Sequence, residues 1–152
     1  MTLAVYAFIA LALFIQAAID IRIRRLPRQI SYLVLLISAP IFIFIAVVSR
    51  EPHRILTAFL GAVLSVSVFG GARRLNPRSL GAGDVHLAPL LGFSLGWWGL
   101  NALLIGMGVA FSLAALAVIG SLFTHRLKRT DSVALGPYLA GGWLVAVLVC
   151  IT

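Results

Sequence analysis

The sequence predicts an all-α membrane protein, a polytopic bundle of six transmembrane helices. Three observations carry this. Hydrophobic residues make up 62% of the 152 positions and charged ones only 11%, too few to cover a water-soluble surface. Apolar stretches free of Asp, Glu, Lys and Arg run Leu3–Ile19, Ile30–Ser49, Ile55–Ala72, Val85–Thr124 and Ser132–Thr152. The basic residues gather in alternate connections between them.

Helix 1 takes the first stretch and is expected to end near Asp20. No basic region precedes it and no clear small-residue cleavage site follows, so it reads as a retained helix rather than a signal peptide. A basic loop leads to Pro27, which suits the first turn of helix 2 because its missing N–H costs nothing there. Pro40 falls inside helix 2 and should kink it. The short loop Arg50-Glu51-Pro52-His53-Arg54 joins helix 3, expected to end at Gly70-Gly71. The forty residues from Val85 to Thr124 would form a helix of about 60 Å, twice the hydrocarbon thickness, so they must fold back once. Gly96-Trp97-Trp98-Gly99-Leu100-Asn101 is the place, since glycine permits a turn and tryptophan favours the interface. Helix 4, from Val85 to Trp98, then rises only about 21 Å, which brings Asp84 close to the hydrocarbon. Helix 5 follows, and helix 6 opens at Gly136-Pro137. The six helices leave no room for a separate soluble domain, so residues 1–152 read as one integral-membrane domain.

Ten of the twelve basic residues, namely Arg22, Arg24, Arg25, Arg28, Arg73, Arg74, Arg78, Arg126, Lys128 and Arg129, fall on one side of this layout. Only Arg50 and Arg54 fall on the other. The positive-inside rule puts both termini outside and the three basic loops in the cytoplasm. The net charge of +8 therefore marks topology and contact with anionic lipid headgroups, not nucleic acid. The charges are not interleaved with aromatic residues, as a stacking platform for bases requires. The single cysteine, Cys150, excludes an internal disulfide and any zinc motif built on paired cysteines.

Of the four acidic residues, Asp20 and Asp84 lie where a membrane helix meets its polar edge. An ionisable group at that depth is costly and raises a functional hypothesis. His53, His86 and His125 are too scattered for a His-Glu-x-x-His zinc site, and no serine has a nucleophile's setting. What remains is a pair of carboxylates. Two carboxylates sharing a site hold one proton between them, so one takes a proton from water while the other donates to the carbonyl oxygen of a peptide bond. The pattern suggests an aspartyl hydrolase without metal or organic cofactor. Each residue also has a plainer reading. Asp20 could pair with Arg24 one turn on, and Asp84 could cap helix 4. Asp131 reads as a cap of helix 6, and His86 as a side chain reaching toward the headgroups. A small proton-coupled transporter or channel is the alternative function, and a non-catalytic assembly subunit is a third.

The segment Asp20-Ile21-Arg22-Ile23-Arg24-Arg25-Leu26-Pro27 resembles the first conserved box of the type IV prepilin peptidases. Gly81-Ala82-Gly83-Asp84 is similar to their Gly-x-Gly-Asp box, and Gly136-Pro137-Tyr138 with Gly141 resembles their third. The resemblance implies cleavage of a prepilin leader after a glycine, at the cytoplasmic face of the bacterial inner membrane. It implies that Asp20 and Asp84 are the catalytic pair and that Gly81 and Gly83 let the backbone bend around the second aspartate. With these it places Pro27, Gly136 and Pro137 among the backbone-turn and substrate-binding positions. The implied partners are prepilin or pseudopilin substrates. The sequence departs from the family pattern at His86, where lysine is common, and at Arg28, where asparagine is usual. The methyltransferase region of bifunctional members has no counterpart, which implies a peptidase without N-methylation. The compact form is similar to the peptidases of tight-adherence pilus systems.

Overall fold

The computed structural model describes residues 1–23, 27–75, 81–123 and 135–151. They form six helices: α1 (Thr2–Ile23), α2 (Arg28–Val48), α3 (His53–Leu75), α4 (Ala82–Gly96), α5 (Leu100–Phe123) and α6 (Gly136–Ile151). Four of them, α1, α2, α3 and α5, are long and apolar enough to cross a membrane. The two others are shorter, at 15 residues for α4 and 16 for α6.

The helices are patterned inside out. Leu11, Phe14, Leu36, Leu64, Leu116 and Leu148 lie exposed, while Gln16, Asp20, Ser31, Ser38, Ser65, Asp84 and Ser94 are buried. Apolar side chains facing outward suit lipid, and polar ones must then find partners within the bundle. The buried face of α1 shows the rule: Tyr6, Ile9, Leu13, Gln16 and Asp20 recur at three- and four-residue spacing. The chain is a multi-pass membrane protein.

Helix α4 lies at the centre and packs against α2, α3, α5 and α6. Small residues let the backbones meet. A Cβ on Gly92 would strike the Gly61 carbonyl and the Ser65 hydroxyl, and one on Gly96 would lie 2.9 Å from the Ala58 Cα. The α5–α6 contact is built the same way, with Gly142 against Gly106 and Ala110. Such small-residue seams gain dispersion contact where lipid offers no hydrophobic drive.

Away from the aspartates, Tyr6 ties four helices together. Its hydroxyl donates to the Ser94 carbonyl at 2.6 Å, and its ring packs on Phe42, Trp98 and Trp143. The Trp143 indole N–H donates to Ser94 Oγ at 2.8 Å. Arg54 pairs with Glu51 at 2.6 Å and lies over the rings of Trp97 and Trp98.

Several expected boundaries move. The turn at Trp97-Trp98-Gly99 stands where expected, with Gly99 at φ 109°, a conformation that favours glycine. Helix α1 runs to Ile23, one turn past Asp20, because nothing at Asp20 interrupts the backbone ladder. Helix α3 continues through Gly70-Gly71 to Leu75, since glycine weakens a helix without ending it. Pro27 is the N-cap of α2, one residue before its first turn. Helix α4 begins at Ala82, so Gly83 and Asp84 belong to its first turn. Asp131 and Arg24 lie outside the described residues.

Candidate active site

Asp20 and Asp84 come from elements far apart in the chain, and each is only 5% exposed. Asp20 stands near the C-terminal end of α1 and Asp84 at the N-terminal end of α4. The Asp20 carboxylate lies within electrostatic reach of Asp84, so the fold brings the two sequence-predicted aspartates to the same end of the bundle.

Each carboxylate takes a backbone N–H from a glycine at the start of a helix. The Gly136 N–H, at the first position of α6, donates to Asp20 Oδ2 at 3.0 Å. The Gly81 N–H, at the N-cap of α4, donates to the Asp84 carboxylate three residues on. The second bond is the returning half of a capping box. Both use donors that a helix start leaves without an internal partner, and both set negative charge at the positive end of a helix dipole. The fit is tight. A Cβ on Gly136 would lie 2.8 Å from Asp20 Oδ2, and one on Gly81 would lie 2.9 Å from Asp84 Oδ2.

Asp84 therefore is part of the cap of α4, and it also lies within electrostatic reach of Asp20. Gly81 is extended, with φ −62° and ψ 146°, and Gly83 is helical, so neither holds a left-handed bend. What the position of Gly81 requires is room beside a carboxylate. Pro137 follows Gly136 in the first turn of α6, where its missing N–H costs nothing. Pro27 begins α2 and makes no described contact with the aspartates.

Around the pair stand residues that the sequence reading passed over. Arg73, near the end of α3, acts electrostatically on Asp84 from the side opposite in charge to Asp20. A groove of about 770 Å³ lined by Ser67, Gly70, Gly71, Arg73, Arg74 and Val85 reaches the residue next to Asp84. On α2, the Tyr32 hydroxyl and His86 Nδ1 lie 2.7 Å apart with their rings edge to face. His86 is thus held against Tyr32 of α2. Gln16, one turn before Asp20 on the same face, accepts a 2.8 Å hydrogen bond from Ser31. A lone amide in an otherwise apolar helix, four residues from an aspartate, was the available signal for it.

The fold and the carboxylate pair define a multi-pass membrane protein with an acidic site enclosed where several helices begin and end. The chain matches the model of the type IV leader peptidase family over residues 7–125, most of its length, and belongs to that family. The match includes both aspartates and stops before Gly136. No curated protein and no solved structure matches the chain.

Proposed function

We propose that this protein is an intramembrane aspartic endopeptidase that removes the leader of type IV prepilin-like proteins. The observation that carries the reading is the coupling of two buried carboxylates from α1 and α4 in a chain of the type IV leader peptidase family. Two carboxylates at such range resist ionising together and hold one proton between them. The ionised member takes a proton from a water molecule, and the oxygen of that water attacks the peptide carbonyl. The protonated member donates to the carbonyl oxygen. Collapse of the tetrahedral intermediate breaks the C–N bond as the departing nitrogen is protonated, leaving a leader carboxylate and a free amine on the mature protein. The pair acts as one titrating unit, with either aspartate able to begin as the base. The Gly136 and Gly81 N–H groups hold one oxygen of each carboxylate and leave the others for water and substrate.

The six helices act as one membrane domain, with α4 and α6 crossing as short spans. The positive-inside rule applied to the basic loops supports a dyad that works at the cytoplasmic face of the inner membrane, where anionic headgroups would meet the arginines. The test is co-expression with a prepilin and mass spectrometry of leader removal. Cleavage after glycine should be lost in both Asp20→Asn and Asp84→Asn, each inserted at wild-type levels. Wild-type cleavage by either variant would refute the dyad.

A further inference from the structure

One turn before Asp20 along α1, Gln16 presents a buried donor that has no hydrogen-bond partner among the described residues. It is 1% exposed, and its Oε1 is engaged by the Ser31 hydroxyl at 2.8 Å. That bond ties the amide to α2 and leaves Nε2, which has no hydrogen-bond partner among the described residues. Spacing of four residues puts Gln16 and Asp20 on one face of α1, and that face is buried in the bundle. Asp84 Oδ1 is a second orphan, a buried acceptor without a partner among the described residues. Buried polar groups are nearly always paired, so an orphaned donor one turn from Asp20 marks a place built to receive something polar.

The proposed reaction supplies that something. A peptide bond reaches the dyad only if the substrate unwinds there. Unwinding frees backbone carbonyls that a continuous helix had satisfied, at a depth where water is scarce. The first turn after the scissile bond, which leads into the substrate's apolar helix, lies on the deeper side of the dyad, as Gln16 does. We propose that Gln16 is a substrate-binding residue whose Nε2–H accepts no role in the resting bundle and donates to a backbone carbonyl within that first turn. Ser31 holds the amide in the orientation this requires. The inference rests on the proposed peptidase reading and adds a contact that positions the unwound chain.

The experiment is a kinetic comparison of wild type and Gln16→Leu on synthetic prepilin peptides in detergent micelles. A parallel peptide series replaces single backbone amides after the scissile bond by esters, which weakens the preceding carbonyl as an acceptor. Gln16→Leu should lower kcat/KM about tenfold, the scale of one lost hydrogen bond. Its melting temperature should change little, because removal of an unpaired amide offsets the loss of the acceptor of the buried Ser31 hydroxyl. One ester should slow wild type severalfold yet leave the Gln16→Leu rate unchanged; a merely structural role would not produce that coupling. Unchanged kcat/KM in Gln16→Leu, or equal sensitivity to every ester in both enzymes, overturns the assignment. Asp20→Asn and Asp84→Asn run in the same assay: their inactivity beside an unaffected Gln16→Leu refutes Gln16 alone. An inactive wild type refutes the peptidase reading and the Gln16 contact with it.

Discussion

Gly136 and Gly81 do the same work for two different aspartates, and glycine is required at each because a carboxylate oxygen occupies the space of a Cβ. Gly136→Ala should therefore push the Asp20 carboxylate off its N–H donor and lower leader cleavage by about tenfold or more, as small misplacements at reacting groups do. Gly141→Ala is the control. Its Cβ would make only an ordinary 3.7 Å contact with Leu113, so cleavage should match wild type. Purified variants compared in one peptide assay, with melting temperatures alongside, decide this; equal activity in both would remove Gly136 from the site. The aspartates themselves were legible in the sequence, because an acid at a helix edge has few uses in so apolar a chain. The role of Gly136 was legible only by resemblance, since the bond to Asp20 spans 116 residues and no local pattern encodes it. Gln16 went unread because an amide in an apolar run carries no charge to draw attention. Its significance depends on which face is buried and on the Ser31 hydroxyl that meets it.

At the level of elements, the central helix is the one whose sequence least resembles a membrane span. Helix α4 has 15 residues, a rise of about 22 Å, and nearly every residue after His86 is buried, so protein covers it where lipid covers the others. Its length was predictable from Asp84 and the tryptophan turn, but its central place was not, because apolarity on all sides suits lipid and protein interior alike. The glycines distinguish the two. Gly92 and Gly96 face Gly61 and Ala58 so closely that the α3 and α4 backbones touch. Gly92→Ala should destabilise the fold by about 1–3 kcal/mol, the usual cost of overpacking, with no flexible side chain available to yield. Gly108→Ala, whose Cβ would meet nothing within 4 Å, should hold or slightly raise stability, since alanine favours a helix over glycine. Thermal unfolding in one detergent gives the comparison, and equal midpoints would mean that α3 and α4 are not locked together as described. Because α4 carries Asp84 at its first turn, loosening this seam should also lower activity through displacement of the dyad.

For the whole molecule, the positions of the aspartates and of the cations make one argument. The α1 end that carries Asp20 meets the starts of α4 and α6, and Arg22, Arg28, Arg73 and Arg74 belong to helix ends flanking the same connections. At the connection between α2 and α3, which carries Arg50, the Arg54 of the Arg54–Glu51 pair lies over the Trp97 and Trp98 rings. Among the described residues the charge asymmetry read from sequence maps onto two ends of the bundle, and under the positive-inside rule the end that carries Asp20 and Asp84 is expected in the cytoplasm. Outside α2 the amphipathic signal that would have given the packing is weak, because the faces turned inward mix apolar residues with polar and small ones such as Gln16, Ser65 and Gly142. Orientation is open to direct measurement. In a Cys150→Ser background, cysteines placed at Arg28 and at Arg50 report opposite ends, both positions being exposed. In intact cells, a membrane-impermeant maleimide should label Arg50→Cys and spare Arg28→Cys, and inverted vesicles should reverse the pattern. Arginine-to-cysteine changes weaken the topogenic signal by one charge each, and three basic loops against a two-arginine side leave it dominant. Labelling of Arg28→Cys from outside would place the dyad on the far side of the membrane, and a leader carried on the cytoplasmic side of its prepilin could then no longer be the substrate.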